Sequence, residues 1–576
     1  RKTGLITEER QGEYTVSRTY DGEGNCTRIT SSLGADIRHT YDREGNLQAM
    51  QAGESWQASW VRDNTGLEVQ RIFSGGVTVS TERDRFGCEV RKSVRSGGIE
   101  RGAYRYEWGI ANRLLSKENE LTGTVIRYDY DRFDFLIRQE TTQGSETDVI
   151  YRVPDFVGNL FGTPDRKDRK YGAGGRLLED PDCFYHYDDE GNLIFREFKR
   201  LQETGVRYDR KRMEKERGIR CLATGTGWLY EWASNGMLKK VIRPDGRPVE
   251  FRYDALGRRT AKQYFGKVTR WVWNGNVPLH EWCYKVAETQ WDEEENILPK
   301  EPAEDVTTWV FEAGTFVPTA KIQDGKQYSI VSDYLGTPIQ MYDEKGNKTW
   351  DCTLDIYGKV ITVNKGMEFD CPFRFQGQYV DEESGLYYNR FRYYEPRIGS
   401  YMSQDPIGLK SGILAIYRYV NSTNIALDIL GLSHAYKLKK AMENAYRPVA
   451  AGQTPHHIVQ LNRNNEYVNR SKAVLERCHI GINDAENGVA LWGTANSQVT
   501  QSGHPGREAA RTTGTYHAGY IHSLESDKRI CELLESAEKY AIDNKLSDNL
   551  KDNYVRKQLQ KIGTEIESGR WNNSTH

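Results

Sequence analysis

Polar and apolar positions follow a short repeated unit over residues 1 to about 380. Each unit contains a strand that carries a Tyr, a turn built from Asp and Gly-Asn, and a second strand such as GNLQAM, GNLIFREF or GRRTAKQY. Asp21, Asp42, Asp63 and Asp84 are each 21 residues apart, a regularity that indicates an internal repeat. Asp and Asn close turns through their own side chains and tolerate left-handed backbone angles beside Gly. The pattern therefore predicts one β-hairpin per unit.

A single hairpin cannot bury its apolar face. Successive hairpins must therefore pair edge to edge into a long sheet that curls or coils. The apolar spacing changes in the last quarter of the chain. There, Ile530, Leu534 and Ala541 lie on one face of a predicted helix over 528–546, and 554–568 shows the same periodicity. We predict a mostly β chain followed by a small α+β domain.

Glycine and tyrosine are abundant, with 54 Gly and 35 Tyr among 576 residues, while 37% of the residues are hydrophobic. This balance favours many short strands over helical cores, and the length allows roughly three or four domains. The formal charge of -2 gives no global electrostatic indication of a nucleic acid or membrane partner. The nine cysteines include no CxxC pair, which argues against a disulfide framework and a zinc ribbon. No apolar run approaches the roughly 20 residues that span a bilayer, and because the chain begins with Arg we expect a fragment of a longer protein.

The repeated Tyr-Asp units resemble the YD repeats of the rearrangement-hotspot (Rhs) family, which also occur in the C components of insecticidal Tc toxins and in teneurins. The resemblance implies that the hairpins coil into a hollow β shell that encloses another polypeptide. We assign residues 1–372 to this shell, 373–432 to a core-terminal segment and 433–576 to the enclosed toxin domain. For the repeated Tyr and Asp residues we expect structural roles, as rungs between hairpins and as turn closures.

Asp405 and Asp428 each open a pentad that ends in Gly-Leu. The first pentad closes the stretch FRFQGQYVDEESGLYYNRFRYYEPRIGSYMSQDPIGL at 373–409, which resembles the end of the Rhs core. The resemblance implies that the two aspartates form an intramolecular aspartyl protease with Arg392 as the supporting cation. The bond cleaved would be Leu432-Ser433.

Two close carboxylates cannot both ionise, so one keeps a proton and acts as an acid while the other deprotonates water. A nearby guanidinium would hold the second carboxylate charged and could stabilise the developing oxyanion. The alternative is that both aspartates only cap turns before Gly. The second pentad departs from the family pattern, because Ile429 stands where Pro is common. A less rigid turn there could misplace Asp428 and slow the reaction.

Eight of the eleven histidines lie in residues 433–576. This segment contains Thr454-Pro-His-His-Ile-Val-Gln-Leu, then GINDAENGVALW at 481–492, and then HPGREAARTTGTYHAGYIHSL at 504–524. The order resembles the AHH branch of the HNH/endonuclease VII nuclease superfamily, with Pro455 in place of the usual Ala. The resemblance implies a ββα fold, formed by a hairpin and a helix, that holds one divalent metal ion.

On this resemblance His457 is the general base that activates water, because a neutral imidazole can take a proton near pH 7. His456 would ligate the metal from the opposite face of the strand, since adjacent strand residues alternate. Asn487 would orient the base or fix the hairpin. His504 and His517 compete as the second metal ligand, because the helix-borne His common in the family is absent.

The metal ion would neutralise the scissile phosphate and stabilise the leaving sugar oxygen. Mg²⁺ is the favoured ion, because it suits a site with few protein ligands and many waters. Two imidazoles also admit Zn²⁺, Mn²⁺ or Ni²⁺.

Together these features predict an Rhs toxin that cleaves itself after Leu432 and releases a metal-dependent endonuclease, with DNA as the expected substrate. The family implies interbacterial killing by an effector that is made in the bacterial cytoplasm and delivered into a target cell by type VI secretion. It also implies a cognate immunity protein, and secretion machinery or a chaperone that contacts a preceding region. Two alternatives stay open: an RNase that uses the same site, and a teneurin-like adhesion scaffold without catalysis.

Overall fold

The chain forms two compact units, which we call the shell unit (Arg1–Pro406 with Leu414–Gly431) and the C-terminal unit (Ile407–Ile413 with Leu432–His576). The computed structural model describes residues 5–43, 45–64, 66–85, 87–109, 113–203, 205–286, 302–364, 370–406, 415–432, 453–457, 466–478, 480, 488–492, 524–544, 546 and 548–567.

The first sheet of the shell unit has 14 strands, each antiparallel to the next in chain order. Its strands are β1 (Glu8–Gln11), β2 (Tyr14–Tyr20), β3 (Cys26–Ser31), β4 (Asp36–Tyr41), β5 (Leu47–Ala52), β6 (Trp56–Arg62), β7 (Glu68–Phe73), β8 (Val77–Arg83), β9 (Glu89–Ser96), β10 (Ile99–Trp108), β11 (Leu114–Asn119), β12 (Thr124–Tyr130), β13 (Leu136–Gln143) and β14 (Glu146–Tyr151).

A short two-stranded pair leads to a second sheet of 16 strands, again in chain order. The pair is β15 (Val153–Pro154) and β16 (Leu160–Phe161). The second sheet contains β17 (Lys170–Tyr171), β18 (Leu177–Glu179), β19 (Cys183–Tyr187), β20 (Leu193–Phe198), β21 (Gly227–Trp232), β22 (Leu238–Ile242), β23 (Pro248–Tyr253), β24 (Arg259–Tyr264), β25 (Lys267–Asn274), β26 (Val277–Lys285), β27 (Thr307–Phe311), β28 (Pro318–Gln323), β29 (Lys326–Ser332), β30 (Pro338–Tyr342), β31 (Lys348–Leu354) and β32 (Val360–Asn364). Helix α1 (Arg210–Arg217) lies between β20 and β21.

The repeated Asp closes each hairpin turn, as the sequence predicts. The Asp42 Oδ1 atom accepts a hydrogen bond from the Asn46 amide at 2.8 Å, and the Asp42 amide donates to the Asn46 carbonyl at 3.0 Å. Gly45 supplies the left-handed residue of the turn, with φ of 82°. The same side-chain bond to the amide four residues later is made by Asp21, Asp63, Asp84, Asp131, Asp155, Asp188, Asp254, Asp333, Asp343 and Asp355.

The residue before the repeated Asp ties its hairpin to the preceding one. Tyr41 donates its hydroxyl to the carbonyl of Cys26 at 2.9 Å, and Arg62 reaches the equivalent carbonyl of Leu47 at 3.3 Å. The same rung is formed by Tyr130 and Tyr253, and by Trp232 in a turn where Ala233 replaces the Asp. The structural role predicted for the Tyr positions is therefore confirmed. Tyr, Arg and Trp side chains each donate this hydrogen bond.

The two sheets pack against each other through contacts between residues that are far apart in sequence. Four hydrogen bonds join residues that are 240 to 273 positions apart: Gln11 to Trp273, Trp56 to Ser329, Lys92 to Ser332, and Ser96 to Gly346. Trp56 and Trp282 lie in the shared core and are 0% and 2% exposed. The second sheet therefore follows the path of the first, as successive turns of a coil do, and the predicted mostly β shell of coiled hairpins is confirmed.

The segment after residue 372 belongs to the shell unit and forms a separate four-stranded sheet. Its strands are β33 (Tyr379–Asp381), β34 (Leu386–Asn389), β35 (Arg392–Glu395) and β36 (Ser400–Tyr401). Buried ion pairs connect this sheet to the second sheet: Arg259 with Asp381, and Arg196 with Glu395. Because buried charges are costly unless they are paired, these contacts fix where β33 and β35 lie.

The described part of the C-terminal unit combines two strands with three helices. Strand β37 (Gln453–His457) pairs antiparallel with β38 (Gly488–Trp492). The helices are α2 (Glu466–Arg477), α3 (Leu524–Asp543) and α4 (Asp548–Glu567). They share a core that contains Val474, Leu475, Cys478, Ile480, Ile530, Leu534, Ala537, Val555, Leu559 and Ile562. The helices predicted over 528–546 and 554–568 are confirmed as α3 and α4, and none of the helices described is long and apolar enough to cross a bilayer.

Removing one turn-closing carboxylate should destabilise the shell unit. Asp343 accepts hydrogen bonds from the amides of Lys345 and Asn347 at 2.9 and 2.8 Å. We expect Asp343→Ala to cost about 1 kcal/mol of unfolding free energy, seen as a lower melting temperature. Lys345→Ala, in the same turn, is the control and should melt like the wild type. Equal melting of all three proteins would contradict this role for Asp343.

Buried His280 should make the shell unit sensitive to mild acid. Burial lowers the pKa of His280 to about 4, while an imidazole in an unfolded chain titrates near 6.5. As the pH falls from about 6.5 towards 4, the unfolded chain binds a proton that the folded chain does not, so stability falls. His280→Gln should melt with a weaker dependence on pH across this window. An unchanged pH dependence in the variant would rule out His280 as a cause.

Candidate active sites

Arg392, Asp405 and Asp428 meet in the interior of the shell unit. Arg392 lies on β35 and is 2% exposed, while the two aspartates are 6% and 4% exposed. The Arg392 Nη2 atom donates to Asp405 Oδ2 at 3.3 Å and to Asp428 Oδ2 at 3.0 Å. Two carboxylates that are far apart in sequence therefore contact the same guanidinium nitrogen.

The other nitrogens of Arg392 also have acceptors. Nε donates to the Gly431 carbonyl at 2.6 Å, and Nη1 donates to the Ile416 carbonyl at 3.2 Å. The guanidinium carbon lies 3.6 Å from the centre of the Tyr401 ring, a cation–π contact. These contacts satisfy a buried cation that would otherwise be expensive to desolvate. They also link β35 to the residue that precedes Leu432.

Two residues that the sequence analysis did not single out complete this site. Tyr401, on β36, donates its hydroxyl to Asp428 Oδ2 at 2.8 Å. Asn389, at the end of β34, donates its Nδ2 atom to the Tyr401 hydroxyl at 2.7 Å and to the Asp428 carbonyl at 2.8 Å. Burial and the neighbouring Asp428 charge raise the pKa of Tyr401 well above its ordinary value. Tyr401 is therefore a neutral hydrogen-bond donor to the carboxylate.

The second pentad forms a compact turn although Ile429 stands in the position where Pro is common. The Gly431 amide donates to the Asp428 carbonyl at 3.4 Å, and Gly431 has φ of 66°. A Cβ atom on Gly431 would lie 2.6 Å from the Asn389 carbonyl oxygen, so only glycine fits there. The Ile429 carbonyl lies directly over Gly377, where a Cβ atom would be 1.9 Å away. Asp428 thus contacts Arg392 without a proline beside it.

This arrangement has the parts of an acid–base pair for hydrolysis. Two adjacent carboxylates favour a state in which one is protonated and the other is charged. A guanidinium that touches both can stabilise negative charge wherever it develops. Of the predicted cleavage bond, Leu432 is described and Ser433 lies outside the described residues.

In the C-terminal unit, His456 and His457 end strand β37. They pair with Val489 and Gly488 of β38, so the two histidines have a fixed place in an antiparallel ladder. Helix α2 lies between these strands in the chain. The helix expected after β38 falls outside the described residues.

The remaining residues predicted for the nuclease site, Asn487, His504 and His517, also lie outside the described residues. Among the residues that are described, no group of three or more His, Cys, Asp or Glu side chains could hold a metal ion. The metal ligands named from the sequence therefore stay predictions.

Three family models match parts of the chain. An RHS repeat model matches residues 234–274, and a teneurin YD-shell model matches residues 296–425. The model of AHH, a nuclease family of the HNH/ENDO VII superfamily with conserved AHH, matches residues 438–566. The AHH match contains every residue that the sequence analysis assigned to the nuclease site.

Two bacterial toxin-related proteins are similar over most of the chain. The double-stranded DNA deaminase toxin A of Burkholderia cenocepacia (strain H111) is 28% identical over 483 residues, 79% of this chain and 31% of that protein. The probable deoxyribonuclease RhsB of Dickeya dadantii (strain 3937) is 29% identical over 440 residues, 73% of this chain and 27% of that protein. The chain thus spans less than a third of the length of these two curated relatives.

A solved structure of TcdB2-TccC3 without its hypervariable C-terminal region has a TM-score of 0.51 and 18% identity, and the match covers 73% of this chain and 21% of that chain. At this identity the match shows a shared fold, in agreement with the coiled sheets of the shell unit. The chain therefore contains an RHS repeat and a teneurin YD-shell region, followed by a domain that matches the AHH nuclease family.

Proposed function

We propose that the chain is part of a secreted Rhs toxin that cleaves itself after Leu432 and releases a metal-dependent endonuclease that acts on DNA. The observation that carries the nuclease activity is the AHH match over residues 438–566. The two relatives support the activity less, because one is named a deaminase and the other a deoxyribonuclease. The similarity of both relatives to most of this chain supports the YD-repeat shell. The name of the Dickeya relative, a probable deoxyribonuclease, agrees with DNA as the substrate.

In the nuclease, His457 takes a proton from the attacking water, and Asn487 orients this base. His456, together with His504 or His517, would hold the divalent metal ion. A bound ion, Mg²⁺ in our proposal, would supply positive charge against the scissile phosphate. Strand pairing supports these assignments in one respect, since it fixes the backbone of both adjacent histidines.

In the shell unit, Asp405 and Asp428 hydrolyse the Leu432-Ser433 bond, and Arg392 stabilises the charged carboxylate. Three observations support this proposal: the burial of the pair, their shared contact with Arg392 Nη2, and the bond from Arg392 Nε to the Gly431 carbonyl. A turn-capping role alone would not require a buried arginine between the two aspartates.

The proposed activities imply how the producing cell is protected and how the toxin is delivered. We propose that the nuclease stays inactive until delivery, so the producing cell keeps its own DNA intact. We propose that a cognate immunity protein protects sister cells, and that type VI secretion machinery or a chaperone contacts a region that precedes this chain. The relative named as a toxin supports a role in killing a target cell, whose cytoplasm would be the site of action.

Replacing His457 should abolish DNA cleavage. We expect the full chain, treated to open the shell, to degrade plasmid DNA with Mg²⁺ or Mn²⁺ and not with EDTA. His457→Ala should lower the rate by about 10²-fold or more, because it removes the general base. His522→Ala, another histidine of the same segment, is the control and should cut like the wild type.

Two results would contradict this prediction. Metal-dependent cutting of total RNA with intact plasmid would replace DNA by RNA as the substrate. No cutting of either nucleic acid by a folded wild-type protein, with any of the metals, would favour the adhesion scaffold.

Replacing either aspartate should slow or stop the cleavage of the chain. Freshly synthesised wild type should yield two fragments with a new amino terminus at Ser433, identified by intact mass. Asp405→Asn and Asp428→Asn should accumulate the full-length chain, because the acid–base pair is lost. Asp343→Asn, an aspartate in a shell turn, is the control and should be cut normally. Normal cutting in both site variants would show that the pair is not catalytic.

A further inference from the structure

The contacts around Asp428 distinguish it from a generic carboxylate beside an arginine. Its Oδ2 atom accepts one hydrogen bond from Arg392 Nη2 at 3.0 Å and a second from the Tyr401 hydroxyl at 2.8 Å. Both donors are buried, and Tyr401 is itself held by Asn389 at 2.7 Å. Two donors on one oxygen stabilise the ionised form of a carboxyl group.

We propose that Tyr401 and Asn389 are positioning residues that set the roles of the two aspartates, with Asp428 as the ionised base and Asp405 as the protonated acid. This inference rests on the proposed self-cleavage and goes beyond it, because a pair of aspartates beside an arginine does not by itself say which one is charged.

The groups that face Asp428 support this assignment. Arg392 is positive and touches the carboxylate directly. Tyr401 keeps its proton, because burial and the Asp428 charge both raise its pKa. Tyr419 also lies near Asp428, and burial raises its pKa above the ordinary value, so it adds no charge. Asp405 is another titratable neighbour, and it contacts the same Arg392 nitrogen.

The reaction then has a defined proton path. The Asp428 carboxylate takes a proton from water while the water oxygen bonds to the Leu432 carbonyl carbon. The Asp405 carboxyl gives its proton to the carbonyl oxygen as the tetrahedral intermediate forms. When the carbon–nitrogen bond breaks, the proton on Asp428 passes to the Ser433 nitrogen and Asp405 recovers its own from the hydroxyl. The products are a carboxyl group on Leu432 and a free amine on Ser433.

Asn389 has a second function in this arrangement. Its Nδ2 atom also donates to the Asp428 carbonyl at 2.8 Å, which fixes the backbone of the second pentad. A proline after the aspartate would restrict the same backbone covalently. The hydrogen bond from Asn389 therefore restricts the backbone that the ring of a proline at position 429 would restrict. For this reason self-cleavage does not require Pro at that position.

The test is the pH dependence of self-cleavage in the full chain. Cell-free synthesis in a series of buffers, followed by gel separation at fixed times, gives the rate of conversion to two fragments. Tyr401→Phe removes one donor to the charged carboxylate, so the acidic limb of the profile should move up by about 1 pH unit. Tyr394→Phe is the matched control, because this buried hydroxyl donates to the Tyr357 carbonyl and not to an aspartate. Its profile should coincide with that of the wild type.

A second comparison does not depend on how well Tyr401→Phe folds. Asp405→Asn keeps a neutral side chain where we place the neutral acid, so slow residual cleavage should remain. Asp428→Asn removes the base and should show none. The reverse order, or an unshifted profile in a folded Tyr401→Phe protein, would overturn the assignment while leaving self-cleavage in place. Full cleavage in both Asn variants would instead refute the proposed protease itself.

Discussion

The buried guanidinium of Arg392 is the contact on which the geometry of the junction depends. Its nitrogens bond to the carboxylates of Asp405 and Asp428 and to the carbonyls of Ile416 and Gly431. A cation in the protein interior must find such acceptors, because desolvation otherwise disfavours folding. Because Arg392 needs these acceptors, both pentads lie beside β35. The ion pairs from Arg259 and Arg196 to the same small sheet hold that point against the shell.

The sequence predicted the hairpins well, because their signals are local. The 21-residue spacing of Asp and the adjacent Gly residues determine a turn within five residues, and the structure has these turns. The stacking of the sheets could not be predicted in this way, since contacts such as Trp56 with Ser329 join positions 273 residues apart. No local pattern records such a distance.

In the candidate sites, too, some residues could be predicted from the sequence and others depend on contacts between distant parts of the chain. Arg392, Asp405 and Asp428 were named from a resemblance, and the structure brings them together. Tyr401 and Asn389 were missed, because one Tyr among many and one Asn in an aromatic run carry no distinguishing spacing. Their roles depend on where β34 and β36 pass the second pentad. For the nuclease, strand β37 contains the backbone of His456 and His457, and the roles of all the residues named for this site stay predictions.

Each unit of the chain has a core of its own. The shell core contains Trp56 and Trp282, whereas the C-terminal helices bury Leu534, Val555 and Leu559 among themselves. Relatives whose names denote different activities share a similar extent of this chain. Separate cores are consistent with such variety, because replacing the C-terminal domain would leave the hydrophobic contacts of the shell intact.

The contacts between the stacked sheets limit where the repeat array can change in length. Residues that are 240 to 273 positions apart bond to each other across the two sheets. Adding one 21-residue hairpin between two such partners would shift later strands relative to the residues that they bond to on the other sheet. Growth of the array should therefore occur at its ends, and variation within it should be confined to the hairpin tips.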